Sequence, residues 1–548
     1  MSEINNQKPC FVQTSQGFSV SYNNQLLYSK YNPSKVIIQT INNLQILPGT
    51  IFLCISPVLG YGLEELLSKI PEDCLVFLIE ADSALLDFAK SSINCEKYQQ
   101  KIQFVMPDDL KNLPLMIYDL ARSGKYKRVK RIDFSAGVKF FSNFYDELTL
   151  ACTNSIMTYW KNRVTLTKFG RRYSYNFFSN LSVLSQTVPI SNYFQKISKP
   201  VLIFGAGQSI DSFLQTNSLN FQDFFIICVD TALQPLLARK IIPDAVFIEE
   251  AQSVILKAFI GFTDNLKTQI FAGLSSIPYL KNFVSPSKIS FFTTEFTKAN
   301  FLSRFSQFSF LPPLNNPFGS VGLTAVYYAL KFRADESVPI IICGLDFSYS
   351  KGFTHAKNTL AYTTRILNQN RLCCIENFNA CFGQNIIEIT DKKGKTFYTS
   401  IVLKSYADLF ITLFSGIKNI FDIGECGIQL NLPCINISEM HKLCLKYKEN
   451  SVCYQNNTLE FPFSLFDDIQ KNELKNALKN ERNELLELKK LLSEKCELSQ
   501  DELREKITKI VAQKEYLFLH FPDGHKFVYE QSFLNRIRNE IDFFLKVI

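Results

Sequence analysis

The sequence has few of the residues that bind metals or form disulfide frameworks. It contains 4 histidines in 548 residues, and its 15 cysteines include no C-x-x-C pair. Several cysteines, such as Cys54, Cys228 and Cys343, stand inside apolar, strand-like stretches. An odd number of scattered cysteines is typical of buried thiols in a reducing compartment, and not of a disulfide scaffold or a zinc site. We therefore expect a cytoplasmic protein without a metal.

Long apolar runs are also missing. The longest strand-like stretches, such as FFIICV and VPIIIC, fall well short of the ~18 residues that a membrane-spanning helix needs. The first residues, MSEINNQKPC, include an acidic residue and lack the basic and apolar regions of a secretory signal. We expect a soluble chain with no membrane span.

Charge of one sign is in small excess. The chain has 59 Lys and Arg against 51 Asp and Glu, which gives a formal net charge of +8. This excess is too mild to indicate a nucleic-acid-binding protein, and we expect no nucleic-acid partner. Basic residues cluster in RSGKYKRVKR at 122–131 and again at 161–172. Such clusters are usually solvated faces, although they also attract anionic sugar nucleotides or acidic proteins.

The composition is that of a folded protein, with 46% hydrophobic residues, 20% charged residues and 50 phenylalanines. Domains of roughly 100–200 residues predict several in a chain of this length. We expect three: an N-terminal domain at 1–175, a central domain at 176–440 and a helical C-terminal domain at 441–548.

A unit of strand, glycine turn, helix and strand occurs twice in the first half of the chain. The first copy contains IFLCIS, PVLGYG, LEELLSKI and CLVFLIEAD, and the second begins with PVLIFGAGQSIDSFL and continues with FFIICVDTA and PDAVFIEEA. Strands that alternate with helices in this way predict α/β domains with parallel sheets. We place the boundary between the two copies in the polar, basic stretch at about 165–185.

The residue composition changes after about residue 440. The segment 472–516 carries leucines at 478, 485 and 492 among dense alternating charges, which predicts an amphipathic helical hairpin. An intrachain bundle is the simplest interpretation, and a homo-oligomer or partner surface is the alternative.

Two glycine-rich stretches are candidates for nucleotide binding. In FGAGQSID, Gly205 and Gly207 allow a sharp turn and Ser209 can cap the next helix, whose N-terminus favours a phosphate. Ile210 stands where the dinucleotide fingerprint has its third glycine, which argues against NAD. Asp230 ends the next strand, where a side chain often reaches the ribose or base. An ordinary tight turn explains the same residues.

Two later stretches add further candidates. NNPFGSVGLTAVYYALKF places Gly319, Ser320 and Thr324 at the start of a helix, and PIIICGLDFSYSKGFTHAKN puts polar residues in the loop after a buried strand. In a parallel sheet these loops converge at the carboxyl ends of the strands. The loops expected to meet there contain Gly205, Asp230, Glu249, Ser320 and Asp346.

Five segments carry a resemblance to a known family. GAGQSID, VDTALQPLLARKIIPDAVFIEE, GSVGLTAVYYAL, IICGLDFSYSKGFTHA and DKKGKTFYTSIVLKSYADLF, in this order within about 195–440, resemble the central domain of the motility-associated factor (Maf) flagellin glycosyltransferases. That domain is shared with the archaeal 6-hydroxymethylpterin diphosphokinase (MptE-like) family. The glycosyltransferase members resemble bacterial sialyltransferases that use CMP-activated sugars. The resemblance implies a Rossmann-like N-terminal domain, a sialyltransferase-like α/β central domain and a helical C-terminal region.

The resemblance also implies an activity. A bacterial enzyme of this kind transfers a nonulosonic acid, such as pseudaminic or legionaminic acid, from its CMP conjugate to Ser or Thr of flagellin, and so supports flagellar assembly and motility. We expect an inverting transfer, no required cofactor, and CMP-nonulosonic acid and flagellin as partners. Two departures from the family pattern are Gln208, where Pro is more common, and IEEAQ at 248–252, where a single Asp commonly ends the pattern.

Roles for individual residues follow from this chemistry. His355 is the expected general base, Tyr349 a donor to the leaving phosphate, and Asp346 the third catalytic candidate. Asp346 is alternatively a loop brace, and His355 a surface loop residue. Asp244 and Glu249 are further candidates, and no metal ligand is expected. The expected nucleotide-binding residues are Gly205, Gly207, Ser209, Asp230, Thr231, Gly319, Ser320 and Thr324.

Three other functions stay open. A Mg-dependent 6-hydroxymethylpterin diphosphokinase is the main alternative, because the central domain is shared. A methyltransferase would use PVLGYG and Glu80 as an S-adenosylmethionine site, but a Rossmann-like scaffold needs the same glycines for its turn. A non-enzymatic flagellin chaperone is the third.

Overall fold

The computed structural model contains two compact units. It describes residues 8–93, 101–215, 219–263, 266–375, 383, 386–450, 465–493 and 499–548. The first unit is Met1–Phe169 with Leu519–Val528, and the second is Gly170–Phe518 with Tyr529–Ile548. The division into three domains stays a prediction. Throughout the described ranges, every helix is too short or too polar to cross a lipid bilayer.

The first unit is built on a parallel sheet of four strands. The strands of the first unit are β1 (Cys10–Thr14), β2 (Gly17–Tyr22), β3 (Gln25–Leu26), β4 (Thr50–Ile55), β5 (Leu75–Ile79), β6 (Ile102–Val105) and β7 (Arg128–Asp133). The parallel sheet has the order β6-β5-β4-β7, and β1, β2 and β3 form an antiparallel sheet. The helices are α1 (Lys35–Asn42), α2 (Leu63–Lys69), α3 (Ser83–Ser92) and α4 (Leu113–Ala121), with 3-10 helices at Pro107–Asn112 and Ala136–Phe141.

Alternate residues of β4 face opposite sides of this sheet. Ile51, Leu53 and Ile55 pack with α4, whereas Phe52 and Cys54 pack with α1 and α2. All five side chains are buried, which explains why this strand reads as a continuous apolar run.

The first unit is completed by a segment from near the end of the chain. The buried guanidinium of Arg163 donates hydrogen bonds to the carbonyl oxygens of Leu519, at 2.6 Å, and Phe521. The ring of His525 lies against Gly124, whose φ of +75° and close contact leave no room for a side chain. These contacts attach Leu519–Val528 to the first unit.

The helix α5 (Ser142–Leu184) passes from the first unit into the second. The boundary between the two units falls between Phe169 and Gly170, within the polar, basic stretch at 165–185, and the domain boundary expected there stays a prediction. The chain remains helical across it. Asn176 and Asn180 are buried on this helix and donate side-chain hydrogen bonds to carbonyl oxygens after β10 and β11.

The second unit contains a parallel sheet of eight strands. The strands of the unit are β8 (Val201–Phe204), β9 (Phe225–Val229), β10 (Ala245–Ile248), β11 (Gln269–Gly273), β12 (Ile289–Thr294), β13 (Leu314–Asn315), β14 (Ile340–Cys343), β15 (Ile386–Thr390), β16 (Thr396–Ser400) and β17 (Ile420–Asp422). The order is β13-β12-β11-β10-β9-β8-β14-β17, and β15 and β16 form a separate antiparallel hairpin. The strand order therefore reverses between β8 and β14, which makes this position the topological switch point.

Helices cover this sheet and form the C-terminal region. They are α6 (Ser209–Phe213), α7 (Leu233–Leu237), α8 (Asn300–Phe305), α9 (Val321–Phe332), α10 (Leu360–Asn368), α11 (Ile401–Phe414), α12 (Ile437–Asn450), α13 (Asp468–Leu491), α14 (Gln500–Val511) and α15 (Gln531–Phe544). The 3-10 helices are Ile190–Tyr193, Phe221–Asp223, Asp230–Ala232, Ser253–Phe259, Pro278–Asn282, Pro286–Lys288 and Glu515–Leu517. The predicted α/β class with parallel sheets and a helical C-terminal region is confirmed.

The C-terminal helices are joined by a buried ionic cluster. The ammonium of Lys514 lies 2.7 Å from a carboxylate oxygen of Glu481 and 2.7 Å from one of Glu484, and the Tyr516 hydroxyl donates to Glu481. Lys514 and Glu481 are completely buried, and the guanidinium of Arg304 lies 2.6 Å from the other carboxylate oxygen of Glu481. Each buried charge is therefore compensated by charges of opposite sign. This cluster ties α13 to the segment after α14.

Candidate functional site

The predicted site residues follow four neighbouring strands. Gly205 follows β8, Asp230 follows β9, Glu249 follows β10, and Asp346 lies in the loop after β14. These strands are consecutive in the sheet and parallel, so their carboxyl ends lie at one edge. The loops after these four strands therefore lie at one edge of the sheet, and the site roles of their residues stay predictions.

The loops after β8 and β14 touch each other at the switch point. A Cβ atom on Gly205 would lie 2.3 Å from the carbonyl oxygen of Gly344, and one on Gly207 would lie 2.4 Å from Oδ2 of Asp346. Gly344 itself has a φ of +79°. Glycine is required at these positions because the two loops approach too closely for side chains.

Asp346 braces these two loops. Its Oδ2 accepts a hydrogen bond of 2.8 Å from the backbone N–H of Ser209, at the start of α6. Burial raises the pKa of Asp346 to about 6, although hydrogen bonding to Ser209 acts to lower this pKa. Ser209 does not cap α6 with its side chain, since Gln208 holds the capping position and makes no side-chain cap. The nucleotide-binding roles of Gly205, Gly207 and Ser209 stay predictions.

The loop after β14 continues along the glycine-rich loop. The N–H of Ser350 donates to the side-chain oxygen of Gln208 at 2.8 Å, and the N–H of Ala356 donates to the carbonyl oxygen of Ala206 at 2.9 Å. Tyr349 is buried, and its backbone pairs with Tyr398 of β16. The loop is therefore fixed on two sides.

His355 is half-buried beside the glycine-rich loop. The hydroxyl of Thr354 lies 2.9 Å from its Nδ1 atom. Burial, assisted by the positive charge of Arg365, lowers the pKa of His355 to about 4. The imidazole is therefore neutral near pH 7 and has a nitrogen that can accept a proton.

Asp230 and Thr231 form a local pair at the end of β9. One carboxylate oxygen of Asp230 accepts hydrogen bonds from the N–H of Thr231 at 2.6 Å and from its hydroxyl at 2.9 Å. Burial raises the pKa of Asp230 to about 7, and the negative charges of Glu250 and Glu249 add to this effect. Asp230 therefore titrates close to neutral pH.

Glu249 connects β10 to β12 and α9. Its carboxylate accepts hydrogen bonds from the hydroxyls of Thr294, at 3.0 Å, and Thr324, at 2.9 Å. Burial raises the pKa of Glu249. Ser320 holds the N-cap position of α9 but makes no side-chain cap. Gly319 has a φ of +73° and packs against the ring of Tyr406. This part of the edge combines carboxylates, hydroxyls and phenol rings.

Asp244 lies away from these residues. It precedes β10, so it stands at the amino ends of the strands, where its carboxylate accepts a hydrogen bond of 2.7 Å from the N–H of Ile226. Burial raises the pKa of Asp244 to about 6. The structure therefore corrects its inclusion among the site candidates: Asp244 braces the opposite edge of the sheet.

The sequence did not single out Lys392, which lies in the turn of the β15–β16 hairpin. Its Nζ atom lies 2.5 Å from Oδ2 of Asp422, at the end of β17, and both side chains are more than 90% buried. Cys426, in the loop after β17, lies 3.1 Å from the hydroxyl of Ser209. The only available signal was the position of Lys392 inside the segment DKKGKTFYTS.

In the first unit, the carboxylate that follows β5 at the carboxyl edge of the parallel sheet already accepts hydrogen bonds from protein groups. Glu80 is fully buried after β5, and its two oxygens accept hydrogen bonds from the hydroxyls of Ser56, at 2.6 Å, and Tyr145, at 2.8 Å, and from the N–H of Asp82. A ribose would have to displace these donors. This arrangement argues against the S-adenosylmethionine site.

No group of three or more His, Cys, Asp or Glu side chains suited to hold a metal ion occurs in the parts of the chain that the structure describes.

Comparisons with known proteins show which proteins this chain is related to. An uncharacterized protein of Treponema pallidum (strain Nichols) is 31% identical over 557 residues, which cover 98% of this chain and 95% of that protein. The chain belongs to one family with this treponemal protein. The family model of 6-hydroxymethylpterin diphosphokinase MptE-like proteins matches residues 172–352. This match contains the loops after β8, β9 and β10 and the first part of the loop after β14, with Asp346 and Tyr349, whereas His355 lies beyond its end.

A solved structure shares the fold. The MAf glycosyltransferase from Magnetospirillum magneticum AMB-1 aligns with a TM-score of 0.53 and 13% sequence identity, over 99% of this chain and 91% of that one. At this identity the likeness concerns the fold. Together with the MptE-like match, it confirms the resemblance to Maf and MptE-like proteins that the sequence indicated.

Proposed function

We propose that this protein is a glycosyltransferase. The observation that carries the proposal is the extent of the fold likeness, which reaches 99% of the chain for the MAf glycosyltransferase. The MptE-like match covers only residues 172–352. A function shared with the MAf protein therefore accounts for the first unit and the C-terminal helices as well as for the central sheet.

The proposed reaction transfers a nonulosonic acid from its CMP conjugate to a Ser or Thr hydroxyl of flagellin in the bacterial cytoplasm. The bond between the anomeric carbon and the phosphate oxygen breaks, CMP leaves with the bonding electrons, and the acceptor oxygen bonds to the same carbon. A single displacement of this kind inverts the anomeric configuration. The enzyme must remove the acceptor proton and stabilise the leaving phosphate.

We assign the removal of that proton to His355. Its imidazole is neutral and half-buried, and its loop is bonded to the glycine-rich loop through Ala356. Tyr349 is the proposed donor to the leaving phosphate. Asp346 supports both loops and is the second candidate for the base, with a pKa of about 6. The nucleotide would occupy the edge between Gly205 and Ser320.

A transfer assay tests this proposal. The purified chain is incubated with flagellin and either CMP-pseudaminic acid or CMP-legionaminic acid, and CMP release and flagellin mass are followed together. The expected result is a flagellin mass increase of one sugar for each CMP released, and its loss in His355→Ala. Absence of transfer with both donors would contradict the proposed reaction.

The MptE-like match favours a second candidate, a Mg-dependent 6-hydroxymethylpterin diphosphokinase. Incubation with 6-hydroxymethylpterin, ATP and Mg²⁺ should yield AMP only if this candidate is correct. A thermal-shift panel separates the two, because a ligand that prefers the native state raises the melting temperature. We expect stabilisation by CMP and not by ATP with Mg²⁺.

A further inference from the structure

A buried ion pair lies next to the switch point. Lys392 is 8% exposed and Asp422 4% exposed, and their charged atoms are 2.5 Å apart. The Lys392 ammonium also donates to the carbonyl oxygen of Gly424 at 3.2 Å. Removing a lysine from water is costly unless it is paired and hydrogen-bonded. This pair therefore fixes the turn of the hairpin to the end of β17.

The same hairpin holds the loop after β14. Tyr349 and Tyr398 exchange two backbone hydrogen bonds of 2.8 Å. The hydroxyl of Thr399 donates to the carbonyl oxygen of Phe347 at 2.7 Å, and Thr399 is completely buried. One chain of contacts thus runs from the Lys392 ion pair through β16 to the loop that carries Asp346, Tyr349 and His355.

Lys392 also acts on Asp346 by its charge. Burial alone would lower the pKa of Lys392, but Asp422 raises it above its ordinary value, so the side chain is charged. This charge lowers the pKa of Asp346 against the effect of burial. The negative charge of Asp422, at the end of β17, raises the pKa of Asp346 and so acts against Lys392. The Sγ atom of Cys426 lies 3.6 Å from Oδ2 of Asp346. The Lys392 cation therefore favours the ionised form of Asp346.

We infer that Lys392 is a positioning residue of the switch-point site, which fixes the hairpin Ile386–Ser400 and through it the loop that carries Asp346, Tyr349 and His355. Its effect on catalysis rests on the proposed glycosyltransferase function, whereas its effect on the loop does not. Lys393 provides a matched control. It is the next residue, and its ion pair with Glu425 is about half exposed on both sides.

Hydrogen–deuterium exchange and donor kinetics test the inference together. Lys392→Met should speed amide exchange in the loop 344–357 by about tenfold or more, because local opening becomes easier. It should lower kcat on the order of 10²-fold by misplacing the loop, with KM for the CMP donor changed by less than about threefold. Lys393→Met should leave both measurements unchanged, and Lys392→Arg should retain most of the loop protection.

A second variant covers the case in which Lys392→Met fails to fold. Lys392→Met combined with Asp422→Asn leaves no buried unpaired charge, so it should melt near the wild-type temperature while the loop still exchanges faster. Wild-type exchange of the loop in either folded variant would overturn the inference. If the wild-type chain turns over no CMP sugar, the proposed function fails and the exchange experiment still decides the role of Lys392.

Discussion

A general base acts only in its deprotonated form, so turnover falls when the pH drops below the pKa of the base. Burial lowers the pKa of His355 to about 4, whereas burial raises the pKa of Asp346 to about 6. With His355 as the base, turnover at pH 5 should stay at about nine-tenths of its plateau, and with Asp346 it should fall to about a tenth. Turnover at pH 5, relative to its plateau, therefore differs by about a factor of ten between the two candidate bases.

The assay is CMP release at saturating and at low donor concentrations between pH 4 and pH 8. As a control, the enzyme is held at each pH and returned to pH 7, where the activity that remains shows any loss of activity through unfolding. We expect a flat profile from pH 5 to pH 7. His355→Ala should lower kcat by about 10²–10⁴-fold, and Ser320→Ala should mainly weaken CMP binding.

Three results would refute this assignment. A midpoint near pH 6 that is lost in Asp346→Asn would move the role of base to Asp346. A midpoint near pH 7 that is lost in Asp230→Asn would move it to Asp230, whose pKa burial raises to about 7. Near-wild-type turnover in His355→Ala would make this histidine an ordinary loop residue.

Three further predictions concern stability and ligand choice. Gly207→Ala should lower the free energy of unfolding by about 1–3 kcal/mol, measured by urea denaturation, because the new Cβ would lie 2.4 Å from the Asp346 carboxylate. Lys514→Met should lower the free energy of unfolding by about 1–3 kcal/mol, because Glu481 loses a buried hydrogen-bonding partner but keeps the guanidinium of Arg304, whereas the exposed pair of Lys506 should contribute less than about 1 kcal/mol. S-adenosylmethionine should leave the melting temperature of the chain unchanged, because protein donors already bind the buried carboxylate after β5; a clear upward shift would contradict this.

The central strands were predictable because buried parallel strands read as apolar runs bounded by turns. PIIIC, for example, contains β14, and the common carboxyl edge followed from parallel pairing. Asp244 was misplaced because PDAVFIEEA has acids on both sides of its strand, and only those after the strand lie at the carboxyl edge. Lys392 was missed because a lysine in a polar turn is normally exposed. Its burial depends on Asp422, which lies 30 residues further along the chain.

The discontinuous first unit sets an order of events during synthesis. A ribosome makes all of Gly170–Phe518 before it reaches Leu519–Val528, the segment that supplies the acceptors for Arg163. Until then the guanidinium lacks the two carbonyl oxygens that allow its burial in the finished unit. The first unit therefore completes its folding only after Leu519–Val528 has emerged. A fragment that ends at Phe169 cannot reproduce it, whereas a fusion of that fragment to residues 519–528 supplies the missing acceptors.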